Sequence, residues 1–503
     1  MYLAKLQTRG FRILDNFELE FDPGLNVIVG PNNAGKTAIL SAISLALSPF
    51  TNPTREIYPN LEDFWHSSNG QERENYRFEV VLDFKDVPEP NHFFSKWMLR
   101  GTTERTARIK LVCHIGDEDR VAPRWTVGQL DANSPERESI ERMIPVFLPP
   151  LRDAVNALKP GTRSRLAKLV QQIAKNDQRK ILEIEKKFKA IQDEIIGDHP
   201  FSEAINRINQ RLSSATGAFR KQIAHLSFID PNFKQITESL QMRVGLEEML
   251  AYSMTENGSG YNNLLYIATV LSQLSKDSEQ DLRLLLVEEP EAHLHPQMQH
   301  VLVDTLIQAS DESQLEEEEK RSQVIMTSHS TVLVSQVPID KVIVLHECKV
   351  ENSKDYGRPQ KGKPIARRIK DFGLKEKTIE DLSRYLDVTK SNLFFADGII
   401  LVEGISEALL LPVFAKAINR PLNEYHVSIV NIDGLAFEPF IEIFKDMERL
   451  QIPCAVVTDS DPYFRSSDDY YERGDQSARV KYDKEAKNET RGDEILFPTK
   501  LIN

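Results

Sequence analysis

Cysteine is scarce: the chain has three in 503 residues, Cys113, Cys348 and Cys454, far apart and with no paired spacing. That excludes a disulfide framework and a cysteine-based zinc site, and it predicts reduced thiols in a cytoplasmic setting. No apolar run approaches the ~20 residues that cross a bilayer, so a membrane-spanning helix is excluded. An excess of positive charge is also missing, with 63 Lys and Arg against 76 Asp and Glu and a net charge of −13. Wholesale coating of nucleic acid is thereby excluded. A local basic groove is not, because phosphate contact depends on where the charge sits. Met1 leads directly into the strand-like Tyr2-Leu-Ala-Lys-Leu6, which leaves no room for a signal peptide. Internal repeats and low-complexity tracts are absent as well.

What is present is a chain too long for one core, with 40% apolar and 28% charged residues, which predicts two or three domains. Its most informative stretch is Gly30-Pro-Asn32-Asn33-Ala34-Gly35-Lys36-Thr37. An apolar run, Leu25 to Val29, precedes it, and a helix-like apolar run, Ala38 to Leu47, follows. Strand, glycine loop and helix with G-x-x-x-x-G-K-T spacing predict a phosphate cradle. Backbone N–H groups turn inward, Lys36 supplies charge to the outer phosphates, and the Thr37 hydroxyl can hold magnesium. The helix adds its positive end. ATP and Mg2+ are the expected ligands.

Such a loop needs a distant acid at the end of a buried strand. Leu284-Leu-Leu-Val-Glu288-Glu289-Pro290 fits, with Glu288 toward magnesium and Glu289 as general base or positioner of the attacking water. Glu291-Ala-His293-Leu-His295-Pro296 reads as a turn rather than a metal site. A further buried run ends at His329, placed to touch the γ-phosphate or the water. Asn257-Gly-Ser259-Gly260 opens a helical pattern and presents N–H groups and a hydroxyl to an anion.

Between these parts, residues 152–220 are charged, glycine-poor and periodic, which predicts long amphipathic helices projecting from the body. They read either as a solvated face or as a dimerisation or DNA-contacting arm. Residues 341–377 hold eleven Lys or Arg against five acids and read either as a flexible basic linker or as a phosphate-backbone contact.

The last module repeats strand and helix. Ile399-Ile-Leu-Val-Glu403-Gly404 is followed by a helix carrying Glu407; then comes Val427 to Asp433, another helix, and Cys454-Ala-Val-Val-Thr-Asp459-Ser-Asp461. Right-handed crossovers bring the acids to one sheet edge. Carboxylates clustered there need cations, and an oxygen-only donor set favours Mg2+ or Mn2+ over zinc. Glu403, Glu407, Asp459 and Asp461 are the candidate ligands. Asp433 divides evenly between ligand and simple turn.

The phosphate loop, acidic strand, His329 and Ser259-Gly260 resemble ABC-type ATPase heads of DNA-repair and chromosome-maintenance proteins. That resemblance implies a composite site in which the serine-glycine segment of one subunit closes on ATP held by another, hence at least a homodimer. Asp63-Phe-Trp-His66 is a candidate magnesium-sensing loop. Strand-Glu-Gly followed by strand-Asp-x-Asp resembles the Toprim domain, and Glu407 one turn beyond Glu403 resembles its nuclease branch. Together the chain resembles the OLD (overcoming-lysogenization-defect) family.

The expected architecture is α/β. An ABC-type head spans 1–150 and 241–390, a helical arm or dimerisation region is inserted at 151–240, and a Toprim domain covers 391–503. The resemblance implies an ATP-regulated, metal-dependent DNA endonuclease with Glu403, Glu289 and His329 as catalytic residues. It also implies anti-phage defence beside a helicase or a reverse transcriptase. Nuclease members carry a further lysine after the Asp-x-Asp pair. Lys481, Lys484 and Lys500 follow it here, none matches that lysine, and the expectation is a truncated chain or an incomplete site. A non-cleaving ATPase switch is the alternative. A topoisomerase or primase is disfavoured, because no tyrosine-bearing cleavage domain or zinc module is present.

Overall fold

The computed structural model describes residues 1–50, 58–65, 76–89, 92–101, 104–116, 119–130, 132–149, 154–162, 164–175, 177–216, 222–245, 252–275, 280–292, 294–311, 313, 321–348, 363–445 and 449–458, with short strands at 464–465, 470–471 and 501–502. Two sheets build the head. In the first, Tyr2–Arg9, Phe17–Glu20, Arg77–Lys85, Ala107–Ile115 and Val121–Val127 pair antiparallel. Their buried residues largely alternate along each strand, as expected of a sheet with one face on the core. The second sheet runs Lys363–Arg368, Val342–Cys348, Leu25–Val29, Gln323–Thr327, Leu282–Glu288, Met143–Leu148 in spatial order. All of its pairings are parallel except the edge strand Lys363–Arg368.

The centre of that second sheet is buried throughout. Every residue of Leu25–Val29, Gln323–Thr327 and Leu282–Glu288 is buried, so the uninterrupted apolar runs are strands covered on both faces. Full burial of each Leu, Ile or Val side chain there is worth roughly 1.5–3 kcal/mol. Helix Lys36–Ala46 covers one face and helices Ser259–Ser275 and Pro296–Ser310 cover the other. Gln323 joins the two sheets. Its amide oxygen accepts from Leu3 N–H at 2.8 Å, and its amide nitrogen donates to the Leu3 and Asp22 carbonyls at 2.8 and 2.9 Å.

The helical region interrupts neighbouring strands. Met143–Leu148 pairs directly with Leu282–Glu288, and the chain between them supplies helices Arg165–Ala174, Gln178–Gly197 and His199–Thr216. Helix Gln178–Gly197 has no buried residue. Its 20 residues extend about 30 Å at 1.5 Å per residue. It is joined to His199–Thr216 by a single residue, Asp198.

The C-terminal module has strand order Val427–Asn431, Gly398–Val402, Cys454–Val457, Leu501–Ile502, the first three parallel. Ile399, Leu401, Val430 and Cys454 belong to the same continuous core as Leu333, Ile369 and Leu382 of the head. One face of the small sheet therefore rests on the ATPase body. The other carries helix Ile405–Ala417, none of whose residues is buried. Cys113 and Cys454 are buried free thiols, as the scarcity of cysteine implied, and burial pushes Cys454 up to about 12. Among the described residues no helix is long and apolar enough to cross a membrane.

Candidate functional site

The phosphate loop folds as its glycines demand. Gly30 has φ +145° and lies against the neighbouring strand so closely that a Cβ would sit 2.0 Å from the Leu345 carbonyl oxygen. Gly35 has φ +107° and turns the chain into helix Lys36–Ala46. Asn33 is also left-handed, at φ 63°, a conformation asparagine tolerates better than most residues. Lys36 is 5% exposed and its ammonium donates to the Gly30 and Pro31 carbonyls at 2.6 and 2.7 Å. Burial pushes its pKa down to about 8, against the opposing charges of Glu289 and Glu291.

The acidic strand delivers both of its glutamates to this loop. The Thr37 hydroxyl donates to the Glu288 carboxylate across the sheet. Burial raises the Glu288 pKa, opposed by that bond and by the Arg12 charge. A hydroxyl and a buried carboxylate already in contact are an oxygen donor pair of the kind magnesium takes. Glu289 leaves the strand in a left-handed conformation, φ 45°, with its N–H bonded to the Thr327 carbonyl at 3.1 Å. That kink aims its carboxylate at His329, whose Nε2 lies 3.2 Å from Glu289 Oε1. Burial lowers the His329 pKa, the nearby Lys36 charge adds to this, and Glu289 opposes it. The imidazole can thus accept or relay a proton beside a carboxylate.

The turn after the acidic strand forms as expected. Ala292 N–H bonds the Glu289 carbonyl at 3.0 Å and Leu294 N–H the Glu291 carbonyl at 2.9 Å. His295 caps helix Pro296–Ser310 and so has a structural task; His293 lies outside the described residues. Ser259 opens helix Ser259–Ser275 in an exposed position, with Gly260 half-buried beside it. The following Asn262 and Asn263 are buried and anchored to Met254 and Ala292 carbonyls, so this exposed helix start is braced against the turn of the acidic strand.

Two residues escaped the sequence reading. Arg12 donates from Nε to Asp63 Oδ1 at 2.9 Å and from Nη1 to Ser41 Oγ at 3.1 Å. It lines a cleft of about 200 Å³ with Ser44, Tyr58 and Asn60. Asp63 is 1% exposed and its carboxylate is engaged by Arg12 and by Asn60 N–H, so it anchors this corner. His66 lies outside the described residues. The second is Glu291, half-buried behind His329: its Oε1 accepts from Ser328 Oγ, His329 N–H and Ser330 N–H. Burial raises its pKa against these donors. Neither residue carries a spacing signal, because each contact joins segments far apart in the chain.

At the Toprim edge the register is informative. Val402 pairs with Asn431 on one side and Val457 on the other, so the residues after each emerge level. Glu403 is half-buried there, and its carbonyl accepts from Gly434 N–H at 2.9 Å. Glu407 Oε2 accepts from Gly404 N–H at 3.0 Å, so its side chain caps the start of its own helix. Asp433 lies in a turn: its φ is 58°, Asn431 Nδ2 donates to it at 2.7 Å, and the buried Lys390 ammonium lies 3.6 Å away. Asp459, Asp461, Lys481, Lys484 and Lys500 lie outside the described residues. Among the described residues no three His, Cys, Asp or Glu side chains cluster to hold a metal. The strand register brings Thr458, the position after Val457, level with Glu403.

A P-loop head with a helical insertion, joined through a common core to a small parallel sheet ending in carboxylates, defines the class as an ATPase coupled to a Toprim domain. The AAA ATPase domain family matches residues 1–115 and 150–334. The TOPRIM domain of overcoming-lysogenization-defect-like proteins matches residues 394–461. The chain belongs to the AAA ATPase domain family, whose model spans more than half of it, and it carries an overcoming-lysogenization-defect-like TOPRIM domain. Endonuclease GajA of Bacillus cereus is 28% identical over 252 residues, which is 46% of this chain and 34% of that relative. The OLD nuclease of Thermus scotoductus is 24% identical over 97% of this chain and 86% of its own length, and the Old nuclease of Escherichia phage P2 is 24% identical over 86% and 73%. Among solved structures, the Smc head bound to the C-winged helix domain of ScpA gives a TM-score of 0.44 at 17% identity, covering 74% of this chain and 99% of that one.

Proposed function

We propose that this protein is a nucleotide-gated, divalent-metal-dependent DNA endonuclease of anti-phage defence, working as a homodimer or higher homo-oligomer in the cytoplasm. The observation that carries the reading is the shared core: the Toprim strand that delivers Glu403 packs on the same buried cluster as the helices behind the ATP pocket. A change of nucleotide state in the head therefore has a packed route to the acid edge. The proposed division is head at 1–150 and 241–390, arm at 151–240 and Toprim at 391–503.

In the head, ATP would be cradled by the loop from Gly30 through Thr37, with Lys36 leaving the Gly30 and Pro31 carbonyls for the outer phosphates. Glu289 orients the attacking water and takes its proton, and His329 holds Glu289 in place and faces the γ-phosphate. Ser259 and Gly260 of a second copy would close the site, which the exposure of Ser259 at a helix start supports. Thr37 and Glu288 would hold magnesium in the head, and Glu403, Glu407, Asp459 and Asp461 would hold magnesium or manganese at the Toprim edge. When bound, such ions supply Lewis-acid stabilisation of charge at the phosphoryl oxygens. Glu403, fixed by the strand end, positions the phosphodiester site. DNA is the proposed substrate, and a helicase or reverse transcriptase partner belongs to the same proposal.

The second reading is a non-cleaving ATPase switch. It is favoured by the use of Glu407 as a helix cap and by the pairing of Asp433 with Lys390. Supercoiled plasmid incubated with the protein and Mg2+ or Mn2+, with and without ATP, separates the two. The expected result is nicking or linearisation that Glu403→Gln abolishes, with Lys36→Ala altering the nucleotide response. Undiminished cutting by Glu403→Gln would remove the assigned site, and no cutting under any condition would favour the switch.

A further inference from the structure

We propose that Glu291 is a positioning residue for ATP hydrolysis: its buried carboxyl group fixes the turn Ser328–Ser330 and so holds His329 against Glu289. One oxygen carries the whole turn. Oε1 accepts from Ser328 Oγ at 2.9 Å, His329 N–H at 2.7 Å and Ser330 N–H at 3.2 Å. These three donors are consecutive residues, so the backbone on both sides of His329 is pinned to a single point. The opposite oxygen, Oε2, is buried and has no hydrogen-bond partner among the described residues.

The bracing extends outward. Ser330 Oγ donates to Gln299 Oε1 at 2.6 Å and accepts from Leu333 N–H at 3.2 Å, tying the turn to helix Pro296–Ser310 and to the next helical turn. Glu291 itself sits in the turn that follows Glu289, closed by the Ala292 and Leu294 N–H bonds. Glu289 and His329 therefore issue from two strand ends that are linked twice: directly, at 3.2 Å, and through Glu291. Without Glu291 the imidazole keeps its chemistry and loses its fixed origin. A shift of about 1 Å at such a contact is enough to cost a large factor in rate.

The inference rests on the roles proposed above for Glu289 and His329, and the test keeps the two apart. ATPase kcat and KM are measured on the full chain for Glu291→Ala, Glu291→Gln, His329→Ala and Glu291→Ala/His329→Ala, with thermal unfolding alongside. Glu291→Ala is expected to lower kcat roughly 10- to 100-fold with KM within about threefold. Glu291→Gln keeps an acceptor oxygen at the same point and is expected to recover kcat to within about threefold. In the His329→Ala background the loss of Glu291 is expected to add less than about threefold, since the two act as one unit. A folded Glu291→Ala protein with wild-type kcat overturns the proposal. So does a full multiplicative loss in the double variant, or a Glu291→Gln protein no better than Glu291→Ala. If His329→Ala alone leaves kcat unchanged, the reading of His329 fails instead. Should Glu291→Ala not fold, Glu291→Asp retracts the acceptor by one methylene, and an unchanged kcat there overturns the proposal equally.

Discussion

Strand Leu282–Glu288 and strand Gly398–Val402 both run apolar into a glutamate, yet they are braced differently. The first is flanked by parallel strands on both edges and covered on both faces, with all seven residues buried. Its terminal carboxylate already touches Thr37, and the next one already touches His329. The second is covered firmly only toward the ATPase body. On its other side Ile405, Leu409, Val413 and Phe414 of the following helix remain 56–68% exposed. The lesson is that placement to a fraction of an ångström follows from closure of both faces. The ATP pocket holds its residues before any ligand arrives, whereas the acid edge shares its strand order and register without the same enclosure.

The sharpest way to break this comparison is at Glu289. If the pocket is preorganised, Glu289→Gln should remove proton acceptance and leave the cradle intact. ATP hydrolysis is expected to fall about 100- to 1,000-fold, with nucleotide affinity within a few-fold of wild type. Single-turnover hydrolysis and equilibrium nucleotide binding measure the two quantities separately. A parallel loss of affinity would show that Glu289 supports the cradle, and the contrast with the acid edge would weaken.

The next effect is on stability. Leu286 is fully buried between the sheets of the head. Leu286→Ala is expected to cost about 2–5 kcal/mol through lost transfer energy and a residual cavity. Chemical denaturation of the full chain reads this, with the reservation that a multidomain transition is compared at its first step. A change below about 1 kcal/mol would mean that the head is looser than its burial implies.

Much of this architecture is legible in the sequence because its determinants are local. Gly30 to Thr37, the run into Glu288 and Glu289, and the run into Glu403 each carry strand, turn and chemistry within about ten residues. Helices at 165–216 follow from periodicity in the same way. What cannot be read locally is which polar side chains are consumed by the fold. Asp433 opposite Lys390 and Asp63 under Arg12 each depend on a partner set by folding. Glu291 is a further case: its partners lie 37 to 39 residues away and only parallel pairing of two strands brings them near. Arg12, 51 residues from Asp63, is hidden for the same reason.

A smaller signal should come from Lys36. Burial holds it near 8 in the free site, and phosphate oxygens raise it on binding, so the complex retains a proton the free site has begun to lose. Nucleotide binding is then expected to take up about three-quarters of a proton at pH 8.5 and about a tenth at pH 7, and affinity should decline as pH rises past 8. Calorimetry in buffers of different ionisation enthalpy measures the uptake. Equal uptake at both pH values would show that Lys36 is not the group responsible.

The smallest expected effect tests the other side of the comparison. Leu409 is 66% exposed on helix Ile405–Ala417, so little apolar area is returned to water when it is truncated. Leu409→Ser should change stability by no more than about 0.5 kcal/mol, most of it helix propensity. Measured beside Leu286→Ala under the same denaturant, the two substitutions turn the difference in enclosure into a difference in free energy. If Leu409→Ser instead costs 2 kcal/mol or more, on the scale of a buried leucine, that helix face is covered in solution and the acid edge is as enclosed as the ATP pocket. A repeat across a range of protein concentrations then identifies the cover, because a wild-type stability that falls on dilution, beside a variant stability that does not, belongs to contact between copies.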